Sequence, residues 1–335
     1  MANSLNKVQL IGNLTKDPEL RQTPNGSSVC SFTVATNLTW KDANGQKQDK
    51  AEFHNIVTWG KLAEICNQYL QKGKKVVLNP LITCGQCNYC SNGREHLCGN
   101  RGLLGMNRPI VRQGCFAEKV LVPDKNIYEL PNSLDIKKAP IAEPTAVALH
   151  AVEIGIDILK KPLDQSRVLV IGGGAIGLLC GLILEKHKKC KEIILVDTNK
   201  KRLKVCGDSL SSETLLPDDL AIKKNSFDFI FDTVGLEITR QNSINFVNSG
   251  GVIVHIGLTQ PEGTFNFRKA TLQEVTFVGT YCYTNKDFEN TLSLLASQKL
   301  GSLDWIEYRD LSKGADAFKQ IHNGTCSSPK IILIP

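Results

Sequence analysis

The hydrophobic pattern of this chain has two main textures, separated by cysteine-containing strand-and-turn sequence over 76–145, and the first covers residues 6–75. There, apolar and polar positions alternate with the period of two that half-buried strands show, most clearly over 8–12, 30–36 and 53–59. Asn-Gly turns at 25–26 and 44–45 separate these runs. The run Lys61–Gln71 predicts one helix, which ends before Gly73. The pattern indicates a β-rich segment closed by a single helix.

The second texture begins at residue 167, where short continuous apolar runs replace the alternation. The predicted strands are 168–171, 192–196, 227–231 and 252–256. Such runs are typical of parallel strands that are covered on both faces by helices. A helix over 288–297 and a strand over 330–334 complete the pattern. We therefore expect an α/β domain with a doubly wound parallel sheet.

Composition excludes several classes of protein. Hydrophobic residues make up 41% and charged residues 22% of the 335 residues, which rules out collagen-like and largely disordered chains. There is no apolar run of about 18 residues, and the N-terminus shows no secretion signal. We expect a cytoplasmic chain with no membrane partner. Residues 1–75 hold 10 Lys and Arg against 6 Asp and Glu, so this quarter carries +4 of the net +7.

A glycine loop follows the first strand of the second texture. Its G-x-G-x-x-G pattern lies between a strand and a helix, as in dinucleotide-binding folds, and the alternative is a purely structural turn. The carboxylate of Asp197 ends the next strand, where it can bond the ribose hydroxyls of NAD. The basic run 200–202 keeps NADP open as the less favoured cofactor. The predicted cofactor residues here are Gly172, Gly174, Ala175, Ile176, Gly177, Asp197 and Arg202.

Four of the twelve cysteines lie within 15 residues, in the spacing C-x2-C-x2-C-x7-C. Four thiolates can enclose one tetrahedral zinc ion and leave no position for water or substrate. The sequence therefore predicts a structural zinc site at Cys84, Cys87, Cys90 and Cys98. An iron–sulfur cluster is the alternative, although the usual spacing is missing. The other eight cysteines are interpreted as small buried hydrophobic residues.

Residues 77–335 resemble the zinc-dependent alcohol and polyol dehydrogenases of the medium-chain dehydrogenase/reductase family. The resemblance rests on the cysteine run, on Gly114-Cys-Phe-Ala-Glu-Lys-Val, on Ala142-Glu-Pro-Thr-Ala-Val-Ala-Leu-His-Ala, on the glycine loop, on Asp232-Thr-Val-Gly and on His255-Ile-Gly. It implies an NAD-dependent oxidoreductase acting on a small alcohol or polyol. It also implies that Val234, Ile256 and Gly257 line the cofactor cleft.

In that family a second zinc ion carries out the reaction by polarising the substrate alcohol. Its ligands come from an early Cys-Gly motif, a Gly-His-Glu motif and a later Cys or Glu. Glu143 matches the later position and is the predicted catalytic residue. The two earlier motifs are absent, so we expect alcohol oxidation to be impaired.

Residues 5–75 resemble bacterial single-stranded DNA-binding protein, an OB-fold. The residues that carry the likeness are Leu5–Arg21, Pro24-Asn-Gly, Phe32-Thr-Val-Ala-Thr, Glu52-Phe-His-Asn-Ile-Val and Trp59-Gly-Lys-Leu-Ala-Glu. The resemblance implies base stacking on Trp40, Phe53 and Trp59, with Lys7, Arg21 and Lys61 near the phosphates. The alternative is that these rings belong to the core.

Each resemblance is incomplete where the two meet, near residue 75. We expect a truncated OB-fold at 1–75, a zinc lobe and a GroES-like partial catalytic domain at 76–145, a Rossmann domain at 146–287 and a return to the catalytic domain at 288–335. Three functions stay open: an impaired dehydrogenase, a single-stranded DNA-binding module with a non-catalytic NAD domain, and a recombined reading frame without evolved function. A homo-oligomer also stays open.

Overall fold

The computed structural model describes residues 13–41, 46–69, 75–106, 114, 120, 122–220 and 226–334. The chain divides into two compact units, Met1–Lys75 and Val76–Pro335. Several features discussed above lie outside the described residues: Lys7, the strand expected at 8–12, the second Asn-Gly turn, Gly73 and residues 115–119 of the motif that begins at Gly114. Among the described residues, no helix combines the length and the apolarity that crossing a bilayer requires.

The first unit is a four-stranded antiparallel sheet with one helix against it. Its elements are β1 (Asn13–Leu14), β2 (Glu19–Gln22), β3 (Ser28–Lys41), β4 (Lys47–Trp59) and α1 (Lys61–Tyr69). Strand β3 is central and pairs with β1, β2 and β4. A small core forms where Cys30 and Phe32 meet Ala63 and Cys66 of α1. This is the OB-type β-rich module that the sequence predicts.

The second unit contains most of the regular structure. In chain order its elements are β5 (Val76–Leu78), β6 (Leu81–Ile82), α2 (Asn88–Ser91), β7 (Gly102–Leu103), β8 (Ile127–Glu129), α3 (Ala142–Ile158), β9 (Arg167–Ile171), α4 (Ala175–Leu182), β10 (Glu192–Val196), α5 (Lys200–Ser209), β11 (Glu213–Leu215), α6 (Pro217–Leu220), β12 (Phe227–Asp232), α7 (Glu237–Phe246), β13 (Val247–His255), α8 (Phe267–Leu272), β14 (Thr276–Gly279), α9 (Asn285–Ala296), β15 (Ile306–Asp310), α10 (Gly314–His322) and β16 (Lys330–Ile334).

A six-stranded parallel sheet in the order β11-β10-β9-β12-β13-β14 forms the centre of this unit. Alternate residues of β9, β10 and β13 enter separate cores on its two faces. Val168 and Val170 of β9 join the core that contains α3 and α4, whereas Leu169 and Ile171 join the core beside α7. This two-sided burial explains the continuous apolar runs and confirms the doubly wound α/β fold.

Three small sheets form the β-rich remainder. β5 pairs with β8 and β6 with β7, both antiparallel, while β15 and β16 pair in parallel. The last pair comes from the C-terminal segment, so residues far apart in the chain complete this part of the unit. It corresponds to the partial catalytic domain with a zinc lobe that the resemblance implies.

Some elements are longer than the hydrophobic pattern predicts. Helix α9 begins at Asn285, three residues before the expected start, because a capping box precedes its apolar residues. In that box Thr284 Oγ1 accepts from the Asp287 amide, and the Asp287 carboxylate accepts from the Thr284 amide. Strand β13 begins at Val247 because it pairs with Phe227 before the register shifts.

Candidate dinucleotide and metal sites

The glycine loop joins β9 to α4 and has the geometry of a phosphate-binding turn. Gly172 takes a φ of +105°, which side-chain-bearing residues rarely adopt. A Cβ on Gly177 would come within 2.9 Å of the Gly172 carbonyl carbon and of Thr233 Oγ1. In contrast, a Cβ on Gly174 would meet nothing within 4 Å. The loop is therefore closely packed on its protein side and open at Gly174, where α4 begins and offers free amides.

Asp197 stands beside this loop and is largely buried, with 8% of its surface exposed. Its Oδ2 accepts from the Gly173 amide at 2.7 Å and from Arg202 Nη1 at 3.2 Å. Its Oδ1 accepts from the Asn199 amide at 2.7 Å. The carboxylate thus fixes the loop, a role that the sequence argument did not include.

A cavity of about 700 Å³ opens at the start of α4. Gly174, Ala175 and Arg202 form one side of it, and the segment from Ala317 to Leu333 forms the other. Asn199 Nδ2 donates to the Gly324 and Cys326 carbonyls at 3.1 and 3.2 Å, which holds this segment against the loop after β10. Ile176 lies one residue further into α4, where it packs against the main core.

The other predicted cleft residues lie at the carboxyl ends of β12 and β13. Asp232 Oδ1 accepts from the Val234 and Gly235 amides at 3.1 and 2.9 Å. The Ile256 and Gly257 amides donate to the Asp232 carbonyl. These bonds bring the two turns into contact at the edge of the sheet where α/β folds bind their ligands.

The zinc lobe brings the four predicted cysteines together. Their sulfur atoms all lie within 4.8 Å of one another. The Cys84–Cys98 and Cys87–Cys90 sulfurs are 3.5 Å apart, and Cys84–Cys90 are 3.8 Å apart. A tetrahedron with zinc–sulfur bonds of about 2.3 Å has edges of about 3.8 Å. The donor set therefore fits a zinc ion.

Two of these thiols, Cys84 and Cys90, have different surroundings, which shift their pKa values in opposite directions. Amides of Gln86 and Cys87 donate toward Cys84 and lower the pKa of its thiol to about 6. Burial raises the pKa of Cys90 to about 11. Amide donors aimed at sulfur favour the thiolate form that zinc requires.

Glu143 lies in the first turn of α3, and its surroundings do not form a second metal centre. Burial raises the pKa of its carboxyl group, although Lys330 and a hydrogen bond with Tyr283 oppose the rise. Within the described ranges, no other group of three His, Cys, Asp or Glu residues brings its ligand atoms together. The residues present here therefore do not fit a catalytic zinc ion.

A buried histidine pair is a feature that sequence reasoning missed. His150 Nδ1 lies 2.8 Å from Asp287 Oδ2, so it ties α3 to the capping box of α9. The ring of His96, in the zinc lobe, packs edge-on against His150 with 4.6 Å between centroids. This contact joins elements that are far apart in the sequence, which leaves no local pattern to find.

In the first unit, two of the three predicted stacking residues share an exposed face of β4. Phe53 is 66% exposed and Trp59 is 61% exposed, and their spacing of six places both on the same side of the strand. Ile56, on the opposite side, packs against the small core. Phe53 and Trp59 are therefore not core residues. The side chain of Trp40, in β3, lies outside the described residues.

Two of the predicted phosphate partners, Arg21 and Lys61, are on the surface as well. Arg21 Nη2 pairs with Glu19 at 2.7 Å, and Lys61 Nζ pairs with Glu64 at 3.1 Å. Such exposed ion pairs contribute little to stability, so these cations can exchange partners at little cost.

The fold and the thiolate site define a zinc-type dehydrogenase architecture preceded by an OB-fold module. Comparison with protein families agrees. Residues 175–297 match the zinc-binding dehydrogenase family, and residues 5–93 match the single-strand binding protein family. The chain therefore combines a segment similar to the single-strand binding protein family with a segment similar to the zinc-binding dehydrogenases. The match to the single-strand binding protein family extends past residue 75, where the first compact unit ends.

Individual relatives show the same division. "Probable D-xylulose reductase A" of Neosartorya fischeri is 27% identical over 271 residues, which are 76% of this chain and 72% of that protein. "Single-stranded DNA-binding protein 1" of Chlorobaculum tepidum is 55% identical over 78 residues, which are 23% of this chain. Those residues are 48% of that protein, so this chain spans about half of its length.

A solved structure has the same fold. A short chain alcohol dehydrogenase of Escherichia coli CFT073, complexed with NADH, superposes with a TM-score of 0.69. It is 21% identical in sequence, and the alignment covers 93% of this chain and 96% of that one.

Proposed function

We propose that residues 76–335 bind a nicotinamide dinucleotide and one structural zinc ion, and that they oxidise alcohols or polyols poorly. The observation that carries the proposal is the glycine loop. It is closely packed at Gly177, open at Gly174 and tied to Asp197, which is the arrangement that receives a pyrophosphate at a helix N-terminus. The similar E. coli structure was solved in complex with NADH, which supports dinucleotide binding by this fold.

The expected catalytic weakness follows from the surroundings of Glu143. Zinc, when it is bound beside the substrate in such enzymes, stabilises the alkoxide from which hydride leaves. Glu143 is instead half-buried beside the Tyr283 hydroxyl, and burial favours its neutral form. Without a bound metal ion, neither form of this carboxyl group stabilises an alkoxide as zinc does.

The test measures cofactor binding and turnover separately on the full chain. Calorimetric titration with NADH should give a saturable isotherm with one site. Mixing the enzyme with NAD and xylitol or ethanol should give little NADH absorbance at 340 nm. Turnover comparable to that of an intact polyol dehydrogenase would refute the impairment, and no binding would refute the dinucleotide site.

A second candidate function rests on the exposed rings of β4. We propose that the first unit binds single-stranded DNA weakly through Phe53 and Trp59. Flat aromatic rings stack on any base, and the basic excess of residues 1–75 favours the phosphates. The relative from Chlorobaculum tepidum carries this function in its name.

Oligo-dT titration at low salt tests this candidate. Trp fluorescence should be quenched on binding, and added salt should reverse the quenching because released counterions drive such binding. Unchanged fluorescence at low salt would refute it. Failure of both the NADH and the oligo-dT titrations would favour a recombined frame without evolved function.

A further inference from the structure

The last strand of the first unit, β4, has one edge that no described strand covers. Among the described residues, β3 is the only strand that pairs with β4, and it does so along all 13 residues of Lys47–Trp59. The strand contains no proline, and its pairing with β3 shows no register shift. Natural proteins interrupt or cover long edges of this kind, because such an edge presents unpaired amides and carbonyls to any other strand.

A backbone hydrogen bond at the end of β4 establishes which of its residues face the free edge. The Gly60 amide donates to the Ser28 carbonyl at 2.7 Å. This bond lies directly beyond the pair formed by Val29 and Trp59. In an antiparallel ladder, alternate residues direct both N–H and C=O toward the same neighbouring strand, so the even-numbered residues of β4 bond to β3. The odd-numbered residues direct theirs to the free edge, and they include Ala51, Phe53, Asn55, Val57 and Trp59.

The side chains of these edge residues are exposed and largely apolar. All five residues from Ala51 to Trp59 are exposed, Phe53 by 66% and Val57 by 54%. Cross-strand contacts between aromatic and β-branched side chains stabilise a pair of strands. The edge therefore offers a further strand both backbone groups and apolar side chains.

The sequence of β4 is complementary to itself in one antiparallel register. A two-fold axis at Phe53 pairs the whole strand, with Lys47 of one copy opposite Trp59 of the other. Odd-numbered residues then lie opposite odd-numbered ones, so the outward backbone groups of both copies meet. This register places Phe53 opposite Phe53 and Glu52 opposite His54, which pairs two aromatic rings and sets a carboxylate against an imidazole twice. Moving the axis by one residue to Glu52 brings two carboxylates together, which is repulsive.

We propose that two copies of this chain associate by antiparallel pairing of their β4 strands, with the two-fold axis at Phe53. The sheet of one first unit then continues into the sheet of the other, and the outward amides and carbonyls of both strands are paired. An interface of this type uses the same surface on both copies and closes after two of them. The inference goes beyond the functions proposed above and depends on neither of them.

The first test compares the mass of the full chain with that of two variants at Ala51 by sedimentation equilibrium. A51P removes an outward amide and places a proline ring against the second strand, while the bonds from the even-numbered residues to β3 stay in place. This variant should halve the mass of the wild-type assembly. The matched control is A51S, which changes the side chain and keeps the amide, so its mass should equal that of the wild type. Far-ultraviolet circular dichroism verifies that A51P is folded.

The second test measures the register by cross-linking. With the axis at Phe53, the two cysteines of F53C face each other, and their Cα atoms are about 5.5 Å apart. Each Val57 lies four residues from the axis, so the two cysteines of V57C are about 27 Å apart along the strands. A short bismaleimide reagent should therefore link F53C into covalent dimers. V57C should stay at the background level of the wild type, which carries the native thiols.

Three results would overturn the inference. A monomeric wild type would refute the pairing and leave the edge of β4 to a strand of a different protein or of the same chain. Equal masses for the wild type and A51P would show that any assembly uses another surface. Cross-linking of V57C as strong as that of F53C would refute the axis at Phe53. The two cysteine variants decide the question even if A51P does not fold, because both keep the backbone groups of β4.

Discussion

Two substitutions in the glycine loop separate its packing role from its ligand role. G177A places a Cβ 2.9 Å from the Gly172 carbonyl carbon and from Thr233 Oγ1, and it overlaps the Gly172 oxygen. Ordinary contact begins at 3.4 Å, and the Gly172 oxygen lies far inside that limit, so the start of α4 must move away from this carbonyl group by considerably more than the carbon contact alone would require. G174A meets nothing within 4 Å and has an ordinary φ of −70°.

The stability effects should therefore differ sharply. Overpacking against backbone atoms places the cost of G177A at the upper end of about 1–3 kcal/mol. That cost corresponds to a fall in melting temperature of roughly 2–4 °C per kcal/mol for a domain of this size. G174A should melt within about 1 °C of the wild type, since surface substitutions without such a clash change stability little.

The affinity for NADH, unlike the stability of the fold, should be sensitive to G174A. G174A puts a methyl group where the pyrophosphate approaches, so NADH binding should fall at least tenfold in a stable protein. Calorimetry for melting and isothermal titration for NADH measure the two effects on the same samples. If G174A binds NADH like the wild type, or if G177A melts like the wild type, the assignment of roles within the loop is wrong.

Three further outcomes are expected. Elemental analysis should find one zinc per chain, and C98S should reduce the zinc content to a small fraction while C66S, outside the cluster, should not; two zinc ions would contradict the absence of a catalytic site. E143Q should raise the melting temperature at pH 7–8 and change it little near pH 4. The folded pKa of this acid is raised, so ionisation weakens the fold as pH rises above the unfolded value of about 4.3; equal shifts at both pH values would refute the reasoning. W59A should weaken oligo-dT binding by about 1–3 kcal/mol, while L62A, an exposed apolar truncation on α1, should not.

The Asp232–His255 pair should make the stability of the second unit depend on pH in the direction opposite to Glu143. Burial opposes ionisation of Asp232, but hydrogen bonds from His255 and from two amides hold the pKa of this carboxyl below its usual value. A lowered folded pKa adds stability above the unfolded value and loses it as pH falls through the folded one. Acid unfolding should therefore begin below about pH 4, where such carboxylates take up protons.

Local features of the sequence were sufficient for several conclusions. The glycine loop needs one strand, one turn and one helix start, all within about ten neighbouring residues, so its pattern predicts its shape. The four cysteines lie within 15 residues, and a short segment can fold around one ion without help from the rest of the chain. The apolar runs predicted the parallel sheet because both of its faces are covered.

Long-range contacts decided the rest. Arg202 meets the Cys326 carbonyl across 124 positions of the chain, and His150 meets Asp287 across 137. The alternation along β4 predicted a strand with two unlike faces, but the fold decided that Phe53 and Trp59 lie on the exposed one. Sequence patterns report the period of a single element, whereas the partner of a side chain depends on which distant element packs beside it. For that reason the sequence by itself predicted the glycine loop and the cysteine cluster from short segments, and only the tertiary structure decided which distant side chains pack beside them.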